Sequence, residues 1–389
     1  MRRWWTVLAQ PLALVAVGLL LLGAAARAGA PDHTVPDRLS DREFWGLVSG
    51  MSETGGYFQS DNLVSNELTF QWVIPELQRR WVTGRAYLGV GPDQNFTYIA
   101  SLQPSIAFIV DIRRDNLRLQ FMYKALLELS PTRAEFLSRL FSRERPAGLA
   151  DDAPIGQLMA AYTSVPQSPE RFQETLKLIR HHLAVQHGFA LTPEDFAGIE
   201  YVLSAFQYGG PLLAYANTGR MTRYPTYQDL MEATDQAGEF HGYLSSEMQY
   251  GRLRSLQLRN LVVPVVGDFA GTKALRQVAD YLKARAAVVG AIYTSNVEQY
   301  LFQYGTWQSY YANIATMPID ENSMFVRSCF NSCATTARSR SAQLLDPVAL
   351  LLRDVAAGRH LVGRVTLPLA EYRKDSDMAL CLLASWPWR

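Results

Sequence analysis

The run from Tyr87 to Asp111 places the strongest constraint on how this chain can fold. It predicts, in order, an apolar strand, a turn containing Gly89 and Gly91, a helix, and a second apolar strand. Glycines in such a turn let backbone amides approach a ligand, and the helix points its N-terminal N–H groups at the same place. Asp111, at the end of the second strand, is placed to accept hydrogen bonds from a ribose. The run therefore predicts a site for a nucleotide-like or adenosyl-containing ligand.

A turn without a ligand explains the same glycines. Every α/β fold needs tight turns between strands and helices, and glycine provides them at no steric cost. The third glycine of the dinucleotide-binding fingerprint is also absent from this run. Taken alone, the run leaves a ligand site and a simple strand-to-helix turn both open.

Several apolar runs separated by helices predict a mostly parallel sheet. The predicted strands are residues 87–90, 106–112, 261–267 and 288–293, with a further candidate at 323–328. Strands that are apolar throughout are typical of parallel sheets with helices on both faces. The predicted fold class is therefore α/β, with a mostly parallel Rossmann-like sheet.

A helical segment interrupts this alternation of strands and helices. Residues 145–240 contain proline-marked loops and helices, one of them begun by Thr192 and Pro193. We interpret the segment as a helical insertion between two halves of a Rossmann-like domain, residues 31–144 and 241–389.

Polar residues and glycines follow four of the predicted strands. Ligands of parallel sheets bind at the carboxyl ends of the strands, so these residues are candidates for a binding site. The residues predicted to bind a cofactor are Gly89, Gly91, Asn95, Asp111 and Asn296. Each strand end alone needs only a turn residue. Four such ends together favour a small-molecule site.

Two acids upstream of the sheet, Asp61 and Glu67, are candidates for catalysis. They lie in a dense polar run, and a pair of carboxylates beside a pocket can perform acid–base work. Capping and turn duties are the alternative explanation of this run.

No metal site is predicted from the sequence. His181, His182 and His187 lie in one predicted helix, but their spacing does not put all three on one face. The sequence also has no Cys-x-x-Cys or His-Glu-x-x-His zinc motif and no Gly-x-Ser-x-Gly nucleophile turn.

Residues 1–30 have the layout of a secretory signal peptide. Arg2 and Arg3 form a basic start, an apolar stretch follows, and small residues surround Ala28 and Ala30. This layout predicts a periplasmic or secreted protein. The alternative is an uncleaved membrane anchor formed by residues 4–26, which would then be the chain's membrane contact.

The charge balance argues against a nucleic-acid partner. The chain has 37 Lys and Arg residues against 36 Asp and Glu residues, without a basic run. Its 3 cysteines are too few for a disulfide scaffold, although one bridge and buried free thiols both stay open.

The glycine turn and the acid after the second strand resemble the cofactor-binding start of class I S-adenosylmethionine-dependent methyltransferases. The resemblance implies that Gly89 and Gly91 contact the methionine part of S-adenosylmethionine and that Asp111 holds its ribose. It also implies that Asp268 matches the acid that faces the reacting group. The sequence departs from this pattern, because Arg85 stands in place of the acid that precedes the loop.

The chain after its first thirty residues resembles an uncharacterised bacterial protein family. The resemblance covers several long runs, which are residues 60–67, 89–98, 108–114, 133–141, 263–271 and 295–301. It implies no particular chemistry.

Two hypotheses about function follow. The first is a transferase-like enzyme that binds an adenosyl or nucleotide ligand at the carboxyl edge of the sheet. The second is a non-catalytic exported binding protein that uses the same crevice. The predicted export weighs against the first, because S-adenosylmethionine is a cytoplasmic metabolite.

Overall fold

The apolar runs of the sequence form the strands of one sheet. A computed structural model describes residues 34–215, 224–330 and 341–357, of which those from Val35 onward belong to one unit. The strands are β1 Ala86–Gly89, β2 Ile106–Asp111, β3 Val262–Val266, β4 Val289–Ser295, β5 Met324–Phe330 and β6 Ser341–Pro347. Their order is β3-β2-β1-β4-β5-β6, with β1 to β5 parallel and β6 antiparallel to β5. The predicted fold class, α/β with a mostly parallel sheet, is confirmed.

Helices surround the sheet and form most of the connections. In chain order they are α1 Asp41–Met51, α2 Ile74–Arg80, α3 Gln94–Leu102, α4 Arg114–Leu129, α5 Arg133–Leu140, α6 Ile155–Ser164, α7 Pro169–His181, α8 Pro193–Gly209, α9 Tyr227–Met231, α10 Glu247–Leu258, α11 Ala274–Lys283, α12 Val297–Gln303, α13 Trp307–Ile314 and α14 Val348–Ala356. A π-helical turn, His182–Gln186, follows α7, and short 3₁₀ turns occur at Phe70–Val73 and Gly210–Leu212. In the described part of the chain, we find no helix whose length and apolar character would allow it to cross a membrane.

The parallel strands pair because each is apolar on both faces. Leu88 of β1 lies opposite Phe108 of β2 and Ile292 of β4, and Phe108 lies opposite Val263 of β3. All four side chains are buried, so one apolar layer crosses the centre of the sheet. A one-residue slip of any strand would turn these side chains to the opposite face, so the layer also defines the register.

The sheet reverses its strand order at β1. The chain runs outward from β1 through β2 to β3 and then returns to add β4 on the other side of β1. At such a switch point the connections that leave β1 and β4 diverge, and a crevice opens between them at the carboxyl ends. This order is that of doubly wound Rossmann sheets, with β6 as an antiparallel addition.

The connection from β2 to β3 is long and helical, and it contains the segment predicted to be an insertion. Its described residues contain α4 to α10, the π-helical turn and one 3₁₀ turn, together with two isolated bridges. Asp195, in the first turn of α8, accepts hydrogen bonds from Arg114 at 2.6–2.7 Å and from Arg118 at 3.1 Å on α4. These ion pairs tie the inserted helices to the helix that follows β2. The predicted boundaries 31–144, 145–240 and 241–389 stay a prediction.

The edge strand β3 tolerates a proline and is covered by the segment after α1. Pro264 cannot donate a ladder hydrogen bond, and an edge position does not require one. The Glu53 N–H donates to the Val266 carbonyl at 2.8 Å, and the Val266 N–H donates to Ser52 Oγ at 3.0 Å. This coverage protects the edge from pairing with another chain.

Candidate functional site

A cavity of about 410 Å³ lies at the carboxyl ends of the parallel strands. Its lining includes Gly91 after β1, Asp111 of β2, Asp268 after β3 and Ser295 of β4, together with Glu67 from the segment before β1. The volume falls within the roughly 300–1,000 Å³ of small-molecule sites. The switch point of the sheet therefore carries a cavity of the size and position expected for a ligand site.

The predicted site residues divide into two groups. Glu67, Gly91, Asp111 and Asp268 line the cavity. The predicted residues outside the lining are Asp61, Gly89, Asn95 and Asn296.

The two glycines of the first turn serve different purposes. Gly89 leaves space for the side chain of Asn95, because a Cβ at position 89 would lie only 1.9 Å from Asn95 Oδ1. Gly91 has a φ of +82°, which favours glycine whatever the space around it. A substitution at Gly91 would therefore strain the backbone, which costs on the order of 1–3 kcal/mol.

The Asn95 side chain stabilises the turn after β1 through hydrogen bonds to its backbone. Its Nδ2 donates to the Val90 carbonyl at 2.8 Å and to the Pro92 carbonyl at 2.7 Å. Its Oδ1 accepts a hydrogen bond from Tyr87 at 2.8 Å. The side chain is fully buried and directed at the protein, so it shapes the turn rather than facing the cavity.

Asp111 is buried at the cavity wall and is paired with Arg113. The Arg113 backbone N–H donates to Oδ1 at 2.8 Å, and Arg113 Nη2 lies 3.2 Å from Oδ2. Arg113 Nη1 in turn donates to the carbonyl of Asp61. A carboxylate has about four lone-pair sites, so each oxygen of Asp111 can still accept one hydrogen bond from a ligand.

Glu67 is a buried carboxyl whose hydrogen-bond donors are neutral. Tyr293 donates to Oε2 at 2.8 Å, Gln343 Nε2 donates to the same atom at 2.9 Å, and the Ser295 hydroxyl donates to Oε1. No ion pair to Glu67 is found among the described residues. Burial raises the pKa of Glu67, and the hydrogen bonds from Ser295, Tyr293 and Gln343 offset this only in part. A carboxyl with a raised pKa beside a cavity is suited to donate or accept a proton.

Two acceptor atoms in the cavity lining have no donor. Gln94 donates through Nε2 to Tyr293 at 2.8 Å, which leaves its buried Oε1 without a partner among the described residues. Asn62 Oδ1 is likewise buried and unpaired in this part of the chain. Buried acceptors without donors are costly, and because both oxygens are closed to a water molecule, a ligand N–H or O–H group would reach them only after the side chain turned towards the cavity.

Two non-glycine residues of the lining have left-handed backbone conformations. Asn62 has a φ of +44° and Ser295 a φ of +49°. Such conformations store strain and cluster at functional sites. At Ser295 the conformation coincides with a shift in the pairing of β4 with β5, and its hydroxyl reaches Glu67.

The charged groups of the lining are mainly acidic. They are Glu67, Asp111, Arg113 and Asp268. Arg113 is committed to Asp111 and to backbone carbonyls, so within the described lining the acids have no free cation beside them. A neutral or positively charged ligand suits such a cavity better than a phosphate.

Aromatic residues form much of the remaining wall. They are Tyr57, Phe58, Tyr215, Phe269, Tyr300 and Tyr304. Phe58 and Tyr300 meet edge to face with ring centroids 5.0 Å apart, whereas Tyr57 and Tyr304 are 87% and 74% exposed. The exposed rings can stack on a flat ligand or contact a cation through their faces.

A third buried acid lies behind the glycine turn and outside the cavity lining. Asp93 Oδ2 accepts a hydrogen bond from Tyr243 at 3.0 Å, and its Oδ1 has no partner in the described chain. Burial raises the pKa of Asp93 to about 7, against the opposing effect of the Tyr243 hydrogen bond. A carboxyl at this end of α3 also makes the turn less attractive to anions.

The other predicted residues have local partners. Asp61 is exposed and accepts a hydrogen bond from Tyr201 at 2.8 Å. Asn296 precedes α12 and accepts a weak hydrogen bond from Ser295 at 3.4 Å. Asp268 accepts from the Ala270 N–H at 2.9 Å, which closes the turn after β3 and still leaves the carboxylate at the cavity wall.

Comparison with protein families identifies one match, which covers residues 62–346 and is described as a domain of unknown function, DUF7790. The chain belongs to this family. The DUF7790 match contains β1 to β5 and β6 as far as Asp346, and it includes the lining residues of the cavity except Tyr57, Phe58 and Gln59. No methyltransferase family is found, and no curated protein matches the chain.

Some of the cavity residues carry no signal in the sequence. Gln94 and Asn62 are ordinary polar residues of a helix start and a turn, and only their unpaired oxygens mark them. Gln343 is not a lining residue but donates to Glu67 from the edge strand β6, a strand that was not predicted from the sequence.

Proposed function

We propose that the cavity at the carboxyl ends of β1 to β4 binds a small adenosyl-type molecule that is neutral or positively charged. S-adenosylmethionine, with its cationic sulfonium and amino groups, is the first candidate. The observation that carries the proposal is the lining: Glu67, Asp111 and Asp268 face one cavity at the switch point without a free cation among its described residues.

The positions of the lining residues support an adenosyl group. Asp111 stands after the second strand, where Rossmann-like sites accept hydrogen bonds from ribose hydroxyls. The aromatic wall suits a planar base.

The same lining disfavours a nucleotide phosphate. Phosphate sites on Rossmann-like turns use backbone N–H groups at a helix N-terminus. Here the turn contains Pro92, which has no N–H, and the buried Asp93 stands beside it. Arg113, the basic residue of the lining, is already bound to Asp111.

Glu67 is the residue that we propose for chemistry. Its buried position and raised pKa suit a general acid or base, and Tyr293 and Ser295 hold its oxygens in place. Asp268 at the opposite wall would face the same ligand. The activity proposed is that of a transferase-like enzyme.

An exported, non-catalytic binding protein is the second candidate. It is favoured by the signal-peptide layout of residues 1–30, which lie outside the described residues. Cys329 of β5 is disulfide-bonded, which suits an oxidising compartment. N-terminal sequencing of protein from its native host should begin at Gly29 or Pro31, and retention of Met1 would contradict export.

Native mass spectrometry of the full-length protein tests the ligand class. S-adenosylmethionine, S-adenosylhomocysteine and ATP are offered at equal concentration. We expect S-adenosylmethionine to bind most tightly and ATP least, because only ATP brings phosphates to an acidic lining. Binding of ATP alone, or of none of the three, would refute the proposal.

Transfer to a methyl acceptor distinguishes the two candidates. A protein that binds S-adenosylmethionine and converts it to S-adenosylhomocysteine in the presence of an acceptor mixture is an enzyme. The Glu67→Gln variant should then lose conversion and still bind S-adenosylmethionine through Asp111 and Asp268, although more weakly than the wild type. If the wild type binds S-adenosylmethionine but does not convert it, the non-catalytic binding protein is favoured.

A further inference from the structure

A second cluster of ionisable side chains, which we term the Glu128 cluster, consists of Glu128, His182 and His187. Glu128 Oε2 lies 2.6 Å from His182 Nε2 and 2.7 Å from His187 Nε2, and the two Nε2 atoms lie 3.2 Å apart. The three atoms form a small triangle with a carboxylate oxygen and two imidazole nitrogens at its corners. None of the three residues lines the cavity described above.

The π-helical turn after α7 brings the two histidines together. The His187 N–H donates to the His182 carbonyl at 3.0 Å, which places residues five apart on the same side of the turn. An α-helix would place residues three or four apart together, and with that spacing the three histidines were not expected to share a face. His181 is exposed and lies outside the cluster. Single π turns are often found at functional sites.

Each member of the cluster is held from behind by another side chain. Asp41 Oδ1 lies 2.6 Å from His187 Nδ1, and Gln186 Oε1 contacts His182 Nδ1. Lys124 Nζ donates to Glu128 Oε1 at 2.7 Å. The oxygen acceptors at both Nδ1 atoms can hold a proton on each of these nitrogens, and an imidazole with its single proton there directs the Nε2 lone pair into the triangle.

In this tautomer three lone pairs face one another, and a cation between them satisfies all three. Without a metal, a proton on Nε2 donates to Glu128 Oε2 instead. Protons on both Nε2 atoms would place two imidazolium ions with facing nitrogens 3.2 Å apart. One divalent metal ion satisfies all three atoms at once. Ligands about 2.0–2.2 Å from a tetrahedral zinc ion lie about 3.3 Å from one another. The two Nε2 atoms, 3.2 Å apart, already have this spacing, whereas Glu128 Oε2, at 2.6 and 2.7 Å from them, would move back by about 0.6–0.7 Å on metal binding.

We propose that the Glu128 cluster binds a divalent transition-metal ion, with zinc as the first candidate. Two imidazole nitrogens and one carboxylate oxygen form a ligand set that zinc accepts. Asp41 and Gln186 act as the outer partners that fix the orientation of each metal-binding imidazole. The histidine side chains are 13% and 15% exposed, so water can complete the coordination.

The proposed metal would join three parts of the fold. Glu128 lies in the last turn of α4, His182 and His187 lie in the segment after α7, and Asp41 begins α1. A metal at this point would fasten the helical insertion to the helix that follows β2 and to the helix that covers β3. We therefore assign it a structural role.

Metal analysis of the full-length protein, prepared without a polyhistidine tag, tests the proposal. After dialysis against zinc we expect about one bound zinc per chain by elemental mass spectrometry, together with a higher melting temperature. Substitution by cobalt should produce the visible absorption bands of a tetrahedral site. The variants His182→Ala and His187→Ala should lose the metal, the absorption bands and the gain in melting temperature.

The matched control is His181→Ala, which removes the exposed neighbouring histidine and should bind zinc as the wild type does. Asp41→Asn keeps all three ligands and should weaken zinc binding roughly 10- to 100-fold, as loss of an outer partner does. Zinc that stays bound after His187→Ala, or a wild type that binds no zinc and no cobalt, would overturn the proposal. The Asp41→Asn result decides the matter if an alanine variant does not fold.

Discussion

Two buried glutamates in this molecule have pKa values that move in opposite directions. Burial raises the pKa of Glu67, and its neutral donors offset this only partly. Burial also acts to raise the pKa of Glu128, but in the metal-free protein hydrogen bonds from His182 and His187 and the charge of Lys124 hold that pKa far below its usual value. The difference lies in the partners, because both side chains are buried.

The comparison indicates which buried acid stabilises the fold and which is available to a ligand, according to whether it has a cationic partner or faces a cavity. Glu128 belongs to a closed network in which Lys124 also donates to the Gln257 carbonyl at 2.8 Å and to Asn260 Oδ1 at 2.6 Å. Glu67 lines a cavity and has no counter-ion among the described residues. We therefore expect Glu128 to be needed for folding and Glu67 to be available to a ligand.

The largest effect on stability is expected from Glu128→Gln. The substitution leaves Lys124 charged and buried without its carboxylate, which costs about 3–5 kcal/mol when one partner of a buried pair is removed. Urea unfolding at neutral pH, without added metal, measures the loss. A loss below about 1 kcal/mol would show that the network contributes little and would break the contrast with Glu67.

The effect expected at another buried acid, Asp93, is intermediate in size, and the pKa of Asp93 is raised as that of Glu67 is. Its pKa of about 7 in the folded chain lies above the unfolded value of 3.8, so its contribution to stability is full below the unfolded value. That contribution is lost as the pH rises through about 7, at up to about 1.4 kcal/mol per pH unit.

Asp93→Asn removes this pH dependence and keeps the shape of the side chain. Relative to the variant, the wild type should be less stable at pH 8 than at pH 5, as measured by urea unfolding at both values. If the difference between the two proteins is the same at both pH values, Asp93 is not held neutral in the folded chain.

The smallest effect is expected from Glu67→Gln. No cation loses a partner, and the amide can keep part of the hydrogen bonding to Tyr293 and Ser295. At neutral pH the free energy of unfolding of the variant should differ from that of the wild type by less than about 1 kcal/mol. At high pH the variant should be the more stable of the two, because the wild type must then bury a carboxylate. A loss as large as that of Glu128→Gln would mean that Glu67 is structural.

The sheet could be predicted because most of its strands are recognisable in the sequence as short apolar runs. The runs at β1 to β4 are apolar throughout, and such runs are buried on both faces. β6 could not be predicted in this way. Its sequence, Ser-Ala-Gln-Leu-Leu-Asp-Pro, lacks a clear alternation, and the strand is defined by its pairing with β5.

The sequence predicts where the site lies, at the carboxyl ends of the strands, but not which side chains face the cavity. The rule that ligands bind there places Asp111 and Gly91 at the cavity. It does not tell which way a polar side chain points, and Asn95 points into the protein. The Glu128 cluster depends on a π turn, which adds one residue to a helical turn and leaves no periodic pattern in the sequence.

Calorimetric titration of full-length wild type and Asp111→Ala with S-adenosylmethionine tests the central claim most directly. Loss of a hydrogen bond to a charged acceptor costs about 1.5–3 kcal/mol, so the variant should bind roughly ten- to a hundred-fold more weakly. Asp61→Ala, which removes an acid outside the cavity lining, is the matched control and should bind as the wild type does. Equal affinity in the wild type and in Asp111→Ala would contradict the claim that this cavity is an adenosyl site.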